Sequence, residues 1–177
     1  KNRMLSLSLA RLAELTGGKI IQGEPETRIV ACTFDSRQAT PGSLFFALKG
    51  IRDGHDYIAE ARKKGAVAAC VSREVRDLPA DFGLIQVNDT LQALQQLAAR
   101  VLAQSQLRVV GITGSIGKTS TKELTARLLS ARFSVLRSMG NYNNQIGLPI
   151  SILSLNDSHQ IAVLEMGMNH PGEIKRL

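Results

Sequence analysis

The sequence predicts an α/β protein of two units: a small α/β unit over residues 1–88, then, over residues 89–177, the opening part of a parallel sheet covered by helices. Three observations carry that expectation. Short apolar strand-like runs alternate with helix-like segments along the whole chain. Near the middle, "TLQALQQLAARVLAQS" repeats leucine and alanine at helical spacing and separates two different rhythms. Beyond it, "VVGITGSIGKTSTKE" runs from an apolar strand through a glycine-punctuated turn into a helix. With 177 residues and 44% hydrophobic content, the chain is long and apolar enough to bury a core.

In the first unit, a leucine-patterned helix near Ser8 to Leu15 is closed by Gly17-Gly18, and "KIIQG" and "RIVACTFD" read as short strands. "SRQATPGS" turns on Pro41-Gly42. Then come a buried strand "LFFALKG", a loop "IRDGHD", a helix from Tyr57 to Lys64, and the strands "AVAACVS" and "LIQV". Asp89 caps the long middle helix, so the boundary between units falls between Asp89 and Arg108. After it the order is strand 108–113, glycine loop, helix 118–131, strand "FSVLRS", an asparagine-rich loop, an apolar helix and the strand "IAVLEMG". Such alternation implies a parallel, doubly wound sheet. A sheet of only about three strands leaves its faces uncovered, so a fragment of a longer enzyme is expected.

Composition excludes several classes. The formal net charge is +7, but the longest basic run, Arg62 to Lys64, ends a helix-like segment before Gly65, where cations complement the helix dipole. With two tyrosines, no tryptophan and no basic-aromatic interleaving, the pattern argues against a nucleic-acid partner and suits a phosphorylated small substrate equally well. Ser6, Ser8, Arg11 and Glu14 interrupt the leucine-rich start, so no export signal or membrane insertion is expected. Cys32 and Cys70 lie in apolar runs far from any C-x-x-C spacing and read as buried free thiols of a cytoplasmic protein.

The candidate site starts from "GITGSIGKTS". A phosphate loop needs an apolar strand before it, glycines where the backbone approaches the ligand, and a helix opening behind it. Here the backbone amides of Gly114, Ser115, Ile116, Gly117, Lys118 and Thr119 would cradle phosphates. Lys118 would neutralise their oxygens and Thr119 would offer a hydroxyl to Mg²⁺. The match to G-x-x-x-x-G-K-[ST] is inexact, because Ile112 occupies the first glycine position. Glu165 closes the apolar run "IAVLE", where a magnesium-organising carboxylate belongs. "GNYNNQIGLP" supplies Asn141, Asn143 and Asn144 as uncharged donors and acceptors, or simply as turn residues. His159 in "NDSHQ" is expected to face solvent, whereas His55 and His170 lie in glycine-flanked loops open to ligand contact. No zinc spacing and no nucleophile elbow is present.

Together "GITGSIGKTSTKE", "GNYNNQIGLPISIL" and "LEMGMNHPGEI" resemble the Mur ligases of peptidoglycan synthesis, and specifically the branch that adds D-alanyl-D-alanine. The shifted first glycine is that family's ordinary phosphate loop. "TFDSRQATPGSLFFALKGIRDGHDYIAEARKKGA" likewise resembles the family's amino-terminal UDP-binding domain. The resemblance implies ATP and Mg²⁺ as cofactors, with Lys118 on the phosphates, Thr119 and Glu165 on the metal, and Asn141 and Asn144 placing nucleotide and metal. It implies that Asp35, Ser36 and Arg37, with Gly50, Ile51, Arg52 and Asp53, hold the uridine nucleotide. It implies UDP-N-acetylmuramoyl-tripeptide and D-alanyl-D-alanine as substrates of a monomeric ligase that works through an acyl phosphate. A sister ligase adding the third amino acid, or a non-catalytic nucleotide-binding module, is the alternative.

Overall fold

The computed structural model describes residues 6–168 and 172–177. The chain divides into two compact units, Met4–Leu97 and Ala98–Leu177, with the change falling inside the long middle helix.

The first unit opens with β1 (Leu7–Ser8) and α1 (Leu9–Thr16), followed by β2 (Lys19–Gln22), β3 (Arg28–Ile29), β4 (Ala31–Thr33) and β5 (Ser43–Phe46). Then come α2 (Ile58–Lys63), β6 (Ala66–Val71), β7 (Gly83–Gln86) and the start of α3 (Thr90–Gln104). Ser8 caps α1 by accepting a hydrogen bond from the Arg11 N–H, and Gly17 ends it in the left-handed conformation. The main sheet has the order β2-β7-β6-β5-β4, parallel except for β2. The apolar run expected as one strand at 28–33 is split. β3 pairs with β1, while beyond Val30, whose N–H donates to the Gly42 carbonyl, β4 pairs with β5.

Period-two alternation lets this sheet bury both faces. Phe45, Ala69, Val71 and Leu84 join Ile58 and Ala61 of α2 in one core, while Leu44, Phe46, Ala68, Cys70 and Ile85 are buried in alternation with them. Asp89 caps α3 by accepting from the Leu91 and Gln92 N–H groups at 2.8 and 2.9 Å.

The second unit continues from α3 into β8 (Arg108–Ile112), α4 (Lys118–Leu129), β9 (Val135–Arg137), α5 (Gly147–Ile152), β10 (Ile161–Glu165) and α6 (Glu173–Arg176). Its sheet has the order β8-β10-β9 and is wholly parallel, as the strand–helix alternation predicts. Ile161 and Val163 pack with Ala126 of α4. α5 is buried along its whole length. The last strand in sequence therefore lies at the centre, with Glu165 beside Ile112 in register. That crossover places a strand-end carboxylate next to the loop that follows β8.

Candidate functional site

The loop between β8 and α4 is exposed along Thr113 to Gly117. Gly114 (φ +148) and Gly117 (φ +80) adopt backbone conformations that side chains disfavour, which explains glycine at both places. α4 starts at Lys118, and the first amides of any helix lack intrahelical partners, so its amino end presents donors to an anion. The Lys118 ammonium folds back over the loop and donates to the Gly114 carbonyl at 2.7 Å.

Beneath this loop lies a connected polar cluster. Glu165 is only 2% exposed, yet three donors meet it. The Thr119 hydroxyl donates to Oε2 at 3.0 Å, the Asn143 amide donates to Oε1 at 2.8 Å, and the Lys122 ammonium lies 3.5 Å from Oε2. Burial alone raises the pKa of this carboxyl; the hydrogen bonds from Asn143 and Thr119 and the charge of Lys122 outweigh it and hold the group below its ordinary value. The backbone is fixed as well, since the Glu165 N–H donates to Ser138 Oγ at 3.1 Å.

The asparagines divide their work. Asn143 faces Glu165, and its carbonyl accepts from the Gly167 N–H at 2.7 Å; a Cβ at Gly167 would sit 3.0 Å from the Asn143 side chain. Asn144 accepts from the Ile146 and Gly147 N–H groups at 3.1 and 2.9 Å and so starts α5. Asn141 is exposed, and its carbonyl accepts from the Asn143 N–H. Lys118, Asn143, Asn144, Gln145, Gly167 and Met168 are among the residues lining a cleft of about 380 Å³. Reading the sequence missed Lys122 and the Asn143–Glu165 bond. The available signal was spacing, because Lys122 lies four residues after Lys118 and three after Thr119 on one helix.

In the first unit the expected nucleotide-binding residues gather at the carboxyl ends of the adjacent parallel strands β4, β5 and β6, where α/β sheets bind ligands. Asp35 caps a 3-10 turn over Ser36–Gln38 and forms a two-pronged pair with Arg37 at 2.9 and 2.7 Å, whose hydrogen bonding lowers its pKa. Ser36 is buried and donates to Glu60 at 2.8 Å. Gly50 donates to the Arg52 carbonyl, Ile51 is fully exposed, and Arg52 reaches the Tyr57 hydroxyl.

Asp53 caps the turn Gly54–Tyr57. Burial pushes its carboxyl up, but hydrogen bonds from the His55 backbone and ring, with the charge of Arg73, bring it down to about 2. His55 is a buried structural residue: Nδ1 meets Asp53 at 2.5 Å and Nε2 accepts from the Ser72 N–H at 2.9 Å. His159, expected to face solvent, is half-buried instead and accepts from the Asn156 N–H, because its loop folds back on itself. His170 lies outside the described residues. Cys70 is buried and Cys32 half-buried; both are free, with burial raising both thiols, Cys32 to about 12.

Among the described residues no group of three or more His, Cys, Asp or Glu side chains is placed to hold a metal ion. Thr119 and Glu165 offer two hard oxygens, which suits Mg²⁺, an ion held through one or two carboxylates together with substrate phosphates and water. Among the described residues no helix is long and apolar enough to cross a membrane.

Comparison with known proteins bears on both units. Residues 28–101 match the family model described as "Mur ligase family, catalytic domain", and residues 112–177 match "Mur ligase middle domain". The chain is 46% identical over 174 residues to the UDP-N-acetylmuramoyl-tripeptide--D-alanyl-D-alanine ligase of Escherichia coli K12, covering 97% of this chain and 37% of that enzyme. Among solved structures, MurF from Acinetobacter baumannii aligns with TM-score 0.86 at 38% identity, covering 97% of this chain and 38% of the other. MurF ligase from Thermotoga maritima in complex with ADP aligns with TM-score 0.70 at 39% identity over 81% of this chain and 33% of the other. The chain thus spans somewhat over a third of the length of the relatives it matches.

Proposed function

The chain belongs to the Mur ligase family, and from that premise we propose that it is the uridine-nucleotide-binding unit and the first part of the ATP-binding unit of a ligase joining D-alanyl-D-alanine to UDP-N-acetylmuramoyl-tripeptide. One observation carries this reading: a buried carboxylate, Glu165, is aligned with the Thr119 hydroxyl at the carboxyl end of a parallel sheet, directly behind a glycine loop and its lysine. The D-alanyl-D-alanine ligase activity by which the Escherichia coli relative is named supports the choice of substrates.

In this reading the tripeptide carboxylate attacks the terminal phosphoryl group of ATP, ADP leaves, and the amine of D-alanyl-D-alanine displaces phosphate from the acyl phosphate. Phosphoryl transfer asks a protein for positioning and charge neutralisation more than for a nucleophile. Lys118 exchanges its bond to the Gly114 carbonyl for phosphate oxygens, and the amides from Thr113 to Thr119 hold the phosphate chain. Thr119 and Glu165 are the residues that would hold Mg²⁺, and the ion would supply charge neutralisation on the phosphates. Asn143 orients the carboxylate, while Asn141 and Asn144 shape the nucleotide side of the cleft. Asp35, Ser36, Arg37 and the segment Gly50 to Asp53 hold the uridine nucleotide. The protein works as a monomer in the cytoplasm.

The test uses the full-length protein that contains this chain. Phosphate release from ATP is expected to require both the UDP-muramoyl-tripeptide and the dipeptide, and Lys118→Ala is expected to lower kcat by about 10²–10³-fold, the cost of losing a preorganised charge donor. Release that ignores the dipeptide, or that survives the substitution, would refute the reading.

A further inference from the structure

We propose that Lys122 is a positioning residue: it locks Glu165 and the loop carrying Asn143 into one arrangement, so that magnesium-dependent nucleotide binding depends on it and metal-free nucleotide binding does not. The proposal rests on reading Thr119 and Glu165 as the magnesium pair.

Lys122 lies on α4, the helix that opens at the phosphate loop, yet its side chain has no solvent exposure. A buried ammonium is costly unless acceptors are arranged around it. Three are: the Gly140 carbonyl at 2.9 Å, Glu123 Oε1 at 3.3 Å and Glu165 Oε2 at 3.5 Å. These partners lie on three separate elements, so one side chain ties α4, the asparagine loop and the end of β10 together. The loop contact matters because Asn143, three residues beyond Gly140, holds the other oxygen of Glu165. Lys122 therefore acts on the carboxylate twice, directly at Oε2 and through the loop at Oε1.

An ion pair kept only for stability gains little over apolar packing. This one shares its carboxylate oxygen with Thr119, the first-turn hydroxyl, and Thr119 and Lys122 grip it from one face of the same helix. Partners that orient a metal-ligating carboxylate tune metal affinity without touching the ion.

Binding of ADP to the full-length enzyme, measured by calorimetry across a Mg²⁺ series and in EDTA, separates this role from a merely structural one. Lys122→Met is expected to raise the Mg²⁺ concentration for half-maximal ADP binding by about 10- to 100-fold, as loss of such an orienting partner does elsewhere. Its affinity for ADP in EDTA and for the UDP-muramoyl-tripeptide is expected to match wild type. Should Lys122→Met not fold, Lys122→Gln, which can still donate to the Gly140 carbonyl, is read by the same two criteria. An unchanged Mg²⁺ dependence, or an equal loss with and without Mg²⁺, overturns the proposal. Wild-type ADP binding that is indifferent to Mg²⁺ overturns the magnesium reading itself, and is visible before any variant is made.

Discussion

Two loops at the carboxyl ends of parallel strands, one in each unit, treat their charges in opposite ways. The loop after β5 is exposed from Lys49 to Arg52 but is pinned at Asp53, by its own His55 and by Arg73 beyond β6. Asp53 is held by the His55 backbone and ring and by Arg73 at 3.3 Å, and Arg73 also pairs with Asp56 at 2.8 Å. The loop after β8 stays open: its residues from Thr113 to Gly117 are exposed, and its lysine donates to the loop's own carbonyls. Rigidity in the phosphate-loop unit comes from below, where Lys122, Asn143 and Thr119 converge on a buried carboxylate. A segment shaped by internal pairs holds its form without a ligand. A glycine loop exposed at the amino end of a helix can turn its donors to an anion.

That contrast predicts which substitutions cost stability and which cost function. The largest effect is the loss of turnover in Lys118→Ala, with an unfolding midpoint equal to wild type, because the exposed loop bond it removes supports no core. An equal loss of stability would show that the phosphate loop is built like its counterpart after all. Next comes His55→Ala, which deletes the link between Asp53 and the Ser72 N–H. It is expected to destabilise by about 2 kcal/mol in denaturant unfolding, since the half-buried Ser72 N–H loses its acceptor and the buried ring its packing; a cost near zero would mean water replaces the ring.

Smaller still is the acid response of Asp53. Its carboxyl titrates at about 2 in the folded chain against an ordinary 3.8. The folded pKa is the lower one, so the unfolded chain binds the proton first, and the stabilisation is complete above pH 3.8 and is lost as the pH falls through about 2. The stability gap between wild type and Asp53→Asn, followed by urea unfolding, is expected to shrink across that window; a constant gap contradicts the assignment. The smallest effect is Arg37→Ala. Its guanidinium is exposed, so the thermal midpoint is expected not to move, and any fall in affinity for the uridine nucleotide then reports a ligand contact alone.

Much of the second unit was legible in local sequence. Hydrophobic period, glycine position and the G-K-T triplet are short-range signals. They marked β8, the loop and the start of α4, and an acidic residue ending an apolar strand marked Glu165. The first unit was less legible around residues 28–33, where one apolar run serves two sheets, because pairing partners leave no trace in periodicity.

The sequence by itself determined the α/β alternation, the glycine loop that opens α4 and the carboxylate that ends β10, since each is written within a dozen consecutive residues. Only the tertiary structure decided that β10 lies between β8 and β9, which sets Glu165 beside a loop roughly fifty residues earlier in the chain. It alone decided that Asn143 meets that carboxylate while Asn144 accepts from the amides at the start of α5, that Lys122 is buried against both helix and loop, and that His55 is a strut. These are matters of which distant groups share one small volume. Desolvation and hydrogen-bond geometry settle them after the strands have paired, and no local pattern encodes either.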